Sequence, residues 1–184
     1  AAVVGLGMSR DTKARQTLEG ILERDTETMR AAAVAALAAQ GAFDSVHRVA
    51  QDKSWRVRLA VAVAIAAHAS DESADIALAM VSDRSAQVQQ KAVEAVAAWP
   101  IEMAGPVLLA AAGSSSFMTS KLACEQLAAR WPAAKTLPGE PPRGLSPSQI
   151  AAWHVERDRH VVELRDRWIA EYGDRWMSAA ESKA

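Results

Sequence analysis

The chain has 184 residues, half of them hydrophobic but only 5% aromatic, and alanine alone fills 41 positions. Alanine loses no side-chain entropy on entering a helix, whereas sandwiches and barrels draw on β-branched and aromatic residues, so the composition excludes an all-β domain and predicts an all-α fold. The net charge is −1, with 13 basic and 14 acidic side chains in residues 1–132 and 8 of each in 133–184, which excludes an overall basic field for nucleic acid or anionic lipid.

In chain order, an apolar start through Leu6 runs into a turn at Gly7-Met8-Ser9-Arg10-Asp11. Ala14–Arg24 follows, with Leu18, Ile21 and Leu22 on one stripe, and then the alanine-rich segment Met29–Leu37. After a turn at Gln40-Gly41, Phe43–Gln51 (Val46, Val49) leads to a second alanine-rich segment, Val57–Ile65. Ala74–Ser82 leads in the same way to Val88–Val96, and Ile101–Ala112 to Thr119–Leu127. The alanine-rich segments are copies of one another. The first three close on Ala followed by a large aliphatic, the fourth keeps Ala123, Cys124 and Leu127 but loses the opening hydrophobe, and the closing residues Leu37, Ile65, Val96 and Leu127 stand 28, 31 and 31 residues apart. Asp25, Asp52 and Asp83 precede the first three copies, and Ser114 holds that place in the fourth. Self-similarity at this period predicts one helical hairpin per repeat.

These residues resemble the HEAT family, in its short bacterial form often called the phycobilisome-lyase HEAT-like repeat. The pattern is an Asp, a Val five residues on, then Arg, then Ala-Ala and Ala-Leu. Asp52-Lys-Ser-Trp-Arg-Val57-Arg58 fits in full, Asp25 to Met29-Arg30 fits with one residue deleted, and Asp83 to Val88 fits with Gln89 in place of Arg. The resemblance covers residues 1–132 and implies a right-handed α-α superhelix, a HEAT-like solenoid of about four hairpins. It also implies a ladder of turn-capping hydrogen bonds between repeats, intact near Arg30 and Arg58 and weaker after Gln89. Leu6 lies 31 residues before Leu37 and so occupies the closing position of an earlier copy, which makes the first hairpin truncated and predicts that the chain is the C-terminal part of a longer array.

Residues 133–146 are rich in Pro and Gly and read as an extended linker. Ser146-Pro147-Ser148-Gln149 then combines an N-cap Ser, a Pro at the first helical position and a Gln at the third. The amphipathic helix it opens, within a C-terminal unit of residues 147–184, places Ile150, His154, Val161, Leu164, Trp168 and Tyr172 on one face and a charge run including Arg157 on the other, with Gly173 as the stop. Capping the end of the solenoid is the preferred placement, filling the concave groove is the second, and an exposed stripe of Trp153, Trp168 and Trp176 is the third.

Nothing in the sequence assembles a catalytic, cofactor or metal site. His154 and His160 are six apart, where a helical metal pair needs four. His47 and His68 belong to different repeats, Cys124 aligns with core positions Val34, Ala62 and Val93, and Ser114 to Ser116 read as a turn and helix cap. The single cysteine allows no internal disulfide, and the longest apolar run, Leu59–Ala67, has nine residues, too few for a bilayer. The compartment is left open, with the cytoplasm preferred.

Trp99-Pro100 and Trp131-Pro132 recur at one phase and read as wedges between stacked hairpins. The partner-contact candidates are Trp55, Arg56, Arg58, Arg30 and Gln89, with Trp55 in the Asp52 turn beside Arg56. The HEAT resemblance implies that the second helix of each hairpin lines the concave side, with Arg30, Ala31 and Ala35, then Arg58, Leu59 and Val63, then Gln89, Gln90 and Glu94, and last Lys121 and Glu125 facing outward. The preferred function is a non-enzymatic protein-interaction scaffold taking a protein or peptide partner, without cofactor, nucleic acid or membrane. An accessory domain of a larger enzyme is the alternative, and a nucleic-acid-binding HEAT protein ranks last.

Overall fold

The computed structural model describes residues 2–9, 11–137 and 140–175. Trp176 and the rest of 176–184, together with Ala1, Arg10, Pro138 and Gly139, lie outside the described residues. The described chain is all-α, with ten α-helices and no strand among the described residues. They are α1 (Ala2–Met8), α2 (Thr12–Arg24), α3 (Glu27–Ala39), α4 (Phe43–His47), α5 (Trp55–Ile65), α6 (Asp71–Met80), α7 (Ala86–Ala95), α8 (Ile101–Ala112), α9 (Phe117–Arg130) and α10 (Pro147–Tyr172).

Five of the ten helix starts among the described residues follow from a side-chain cap. Side chains of Asp11, Thr26, Ser54, Ser70 and Ser146 accept hydrogen bonds from backbone N–H groups of the first turn, satisfying donors that a helix leaves orphaned. At Ser146 the reciprocal bond is also made, Ser146 N donating to Gln149 Oε1 at 2.8 Å, so the capping box is complete. Helix α4 is shorter than the Phe43–Gln51 stretch expected. Its N-cap Ala42 has no side chain to offer, and beyond His47 the backbone tightens into three-residue turns, with Val49 N donating to Val46 O and Ala50 N to His47 O.

Alternate helices form a tier. Helix α3 packs between α1 and α5, α5 between α3 and α7, and α7 between α5 and α9. Helices α4, α6 and α8 meet in sequence on the other side, and each also touches its following helix. Equivalent residue pairs near the closing position of each copy belong to the buried core. Ala33-Val34, Val61-Ala62, Ala92-Val93 and Ala123-Cys124 are all essentially inaccessible. Small side chains there let the helix backbones approach, and interdigitation with the aliphatics keeps the core dense. Burial pushes the Cys124 thiol above its ordinary range, as suits a small core residue.

Residues past Trp131 fold back. A short 3-10 turn, Pro132–Thr136, packs along α9 and buries Ala134 and Leu137, and Glu140 pairs with Lys121 of α9. Helix α10 then lies antiparallel on α8, with Trp168 over Gly105 and Val161 beside Leu109 and Gly113. Gly173, at φ 87°, ends it. Its buried stripe is Arg157, Val161, Leu164 and Trp168, which corrects two expectations. Ile150 and Tyr172 belong to the exposed surface, and Arg157, assigned to the solvated charge run, is only 4% exposed. Positions 157, 161, 164 and 168 recur at the four-three-four spacing of one helix stripe, so the geometry of contact with α8 selects Arg157 whatever its charge. Trp168 is buried, and so is no part of an exposed tryptophan stripe.

Candidate partner-binding surface

The polar side chains at the turns are organised first by a ladder. Arg30 Nε and Nη2 donate to Asp52 at 2.9 and 2.8 Å, a two-pronged pair, while Nη1 donates to Asp25 O at 2.8 Å. Arg58 repeats the arrangement one hairpin on, reaching Asp83 at 2.6 and 2.9 Å and Asp52 O at 2.7 Å. Each Asp also accepts from the N–H two residues ahead, Ser54 N for Asp52 and Ser85 N for Asp83, both at 2.8 Å. Burial raises these two carboxyls, but the arginine and backbone hydrogen bonds outweigh it and hold both below the ordinary carboxylate range.

The third rung is neutral. Gln89 Nε2 donates to Asp83 O at 2.5 Å, in the place of the arginine bond to a carbonyl. Its Oε1 accepts from Ser114 Oγ at 3.3 Å and Thr119 Oγ1 at 3.1 Å, and Ser114 Oγ accepts from Ser116 N at 3.1 Å, as the aspartates do. The substitution of Gln for Arg is therefore matched by Ser for Asp, leaving no buried charge alone.

This ladder decides what the predicted contact residues can offer. The outward placement expected of Arg30 and Arg58 is corrected, because both are buried with their guanidiniums turned into the inter-hairpin turns. Gln89 is half-buried with both amide ends engaged. Trp55 is half-buried against the core, and the Arg56 guanidinium stands 4.9 Å above its ring. Arg56 is exposed and reaches back to Glu27 at 2.7 Å, joining α5 to α3. Trp99 and Trp131 are buried; the Trp99 indole N–H donates to Ala66 O at 3.2 Å, and that of Trp131 to Glu171 at 3.1 Å.

Exposure on the tier α1-α3-α5-α7-α9 recurs with the repeat. Ala35, Val63, Glu94 and Glu125 are exposed at equivalent positions, flanked by half-buried Ala31 and Ala32, Leu59 and Ala60, Gln90 and Lys91, and Lys121 and Leu122. The face is thus apolar over α3 and α5 and charged over α7 and α9. Between α1 and α3 a shallow cavity of about 210 Å³ is lined by Gly7, Met8, Ala32, Ala35, Ala36 and Ala39.

The sequence reading missed two residues that set the shape of this molecule. Gly105, next to Pro106 inside α8, leaves the space that the Trp168 ring fills, since a Cβ there would stand 2.0 Å from Trp168 Cη2. A Gly-Pro pair inside an otherwise apolar helical run was the available signal. Arg157 donates to Ser120 Oγ at 3.1 Å, and Ser120 donates to Ala112 O at 2.7 Å, tying α10 to the α8–α9 turn. Nothing in a run of alternating charges distinguishes that arginine. Among the described residues no group of three or more His, Cys, Asp or Glu is placed to hold a metal ion, and no helix is long and apolar enough to cross a membrane. No protein-family model matches the chain, and no curated protein matches it.

Proposed function

We propose that residues 1–132 form a HEAT-like solenoid, a right-handed superhelix, and that the chain is a non-enzymatic scaffold holding a protein or peptide partner along the tier of α1, α3, α5, α7 and α9. The observation that carries the reading is the repeating exposed row Ala35, Val63, Glu94 and Glu125, apolar in its first half and acidic in its second, with Lys91 and Lys121 beside the acids. Its occupant is an amphipathic helix or extended segment with an apolar stretch followed by mixed charge. The small side chains allow close backbone approach, and Val63, 54% exposed, is the largest apolar group in the row. Arg56 with Trp55 borders the row and supplies a hydrogen-bonding cation at its rim. Arg30, Arg58 and Gln89 act by shaping the turns.

Photo-cross-linking residues introduced at Ala35, Val63 and, as the opposite-tier control, Asp75 test this in the organism's own extract. One partner captured at Ala35 and Val63, not at Asp75, and lost on adding Glu at the other apolar position, is the expected result. Equal capture at all three positions would overturn the placement. An enzyme accessory role is the alternative, and it is favoured if the captured species is a catalytic subunit whose rate changes with the scaffold.

A further inference from the structure

Helix α10 buries one stripe and leaves a second one open. Val155, Val162 and Ile169 are 71, 54 and 39% exposed and stand seven residues apart. At 100° per residue their line lies roughly 130° round the helix from the stripe packed on α8, so it points away from the body of the protein. The seven-residue repeat is the spacing at which two helices keep one seam in contact.

We infer that this face is where two copies of the chain meet, α10 against α10 in antiparallel fashion about a two-fold axis at Val162. The residues flanking the seam carry the argument for a second copy as the occupant. On one side lie Asp158 and Arg165, on the other Arg159 and Asp166. In the antiparallel register Val155 faces Ile169 of the second copy and Val162 faces its own equivalent. Asp158 then stands level with Arg165 of the second copy and Arg159 level with Asp166, and the two-fold repeats each pairing, giving four opposite-charge contacts and no like-charge contact. At the ends Ala151 faces Tyr172, small against large. A parallel pairing also matches charges side by side, but it sets Ala151 beside Ala152 and aligns the helix dipoles head to head, whereas the antiparallel one opposes them.

Asp158, Arg159 and Asp166 are exposed, while Arg165 is half-buried at the edge of a cavity it lines with Asp75 and Ser115 and has to turn its guanidinium outward to reach the seam. Asp158 accepts from Arg157 through Oδ1 alone. Arg159 is held by Glu156 and Glu163, exposed partners that exchange readily with another carboxylate. Contact between α8 and the opposite face of α10 puts the two bodies on the outer sides of the pair.

Sedimentation equilibrium on the full chain tests the inference. A concentration-dependent dimer is expected, with Val162→Glu monomeric while keeping its helical circular dichroism and melting temperature, since the side chain is exposed. Arg159→Glu should raise the dimer Kd on the order of tenfold, and adding Asp166→Arg should restore it. A wild-type chain that stays monomeric at the highest concentration reached, or a dimer that survives Val162→Glu, overturns the interface. Restoration by Asp158→Arg instead of Asp166→Arg overturns the antiparallel register.

Discussion

At position 89 the chain exchanges a charged rung for a neutral one. Arg58 with Asp83 and Gln89 with Ser114 occupy equivalent places and make the same set of connections, a side-chain pair between hairpins plus a donor to the preceding turn carbonyl. Breaking a buried pair from one side leaves an uncompensated charge at a cost of about 3–5 kcal/mol, while replacing both members can be nearly neutral. Arg58→Gln alone should therefore strand Asp83 and destabilise by an amount in that range. Asp83→Ser in the same chain should recover most of the loss, so that by denaturant unfolding the double variant is more stable than the sum of the two single effects by about 3 kcal/mol or more. Additive single effects would show that the two rungs are not interchangeable. The same geometry means that Arg58→Glu tests folding and says little about a partner.

Helix α10 depends on a missing side chain. Gly105 admits the Trp168 ring, which also meets Trp131 edge-on at 5.0 Å and stacks with Tyr172 at 4.2 Å. Gly105→Ala should gain helix propensity locally and still destabilise by about 1–3 kcal/mol, because the ring has no room to withdraw without lifting α10. Near-ultraviolet circular dichroism should lose the tryptophan signal before far-ultraviolet helicity falls. Unchanged spectra and stability would mean that α10 is not held at this point. This contact was not legible in the sequence, nor was burial of Arg157, because each depends on which helix α10 meets. What was legible followed from local rules: the Ser146–Gln149 box, the Gly173 stop, the small pairs such as Ala123-Cys124, and the hairpin period. Helix α4 starts at the expected Phe43, but its periodicity suggests a longer helix than the one that ends at His47, where the backbone tightens into three-residue turns.

On the scale of the whole chain, the repeat predicts which helices share a tier far better than where the last third goes. The alanine-rich copies carry their own register, so α3, α5, α7 and α9 could be aligned before any contact was known. The segment after Trp131 has no copy to align with. The extended linker expected over 133–146 is broken by the 3-10 turn Pro132–Thr136 along α9, and α10 then lies on α8, the first helix of the last hairpin.

The neutral rung also divides the molecule by its response to acid. Asp52 and Asp83 titrate lower in the folded chain than the value of about 3.9 expected unfolded, so their contribution is complete above that pH and fades as the pH falls through their folded values. The joint between α7 and α9 carries no such carboxylate in its Gln89–Ser114–Thr119 contacts. Hydrogen exchange measured from pH 5 downward should then show amides of α3 and α5 opening ahead of those in α8 and α9, and Asp52→Asn with Asp83→Asn should remove the difference. Uniform opening along the chain would contradict it. A repeat array whose joints differ in this way melts from one end, and the end that lasts is the one braced by α10.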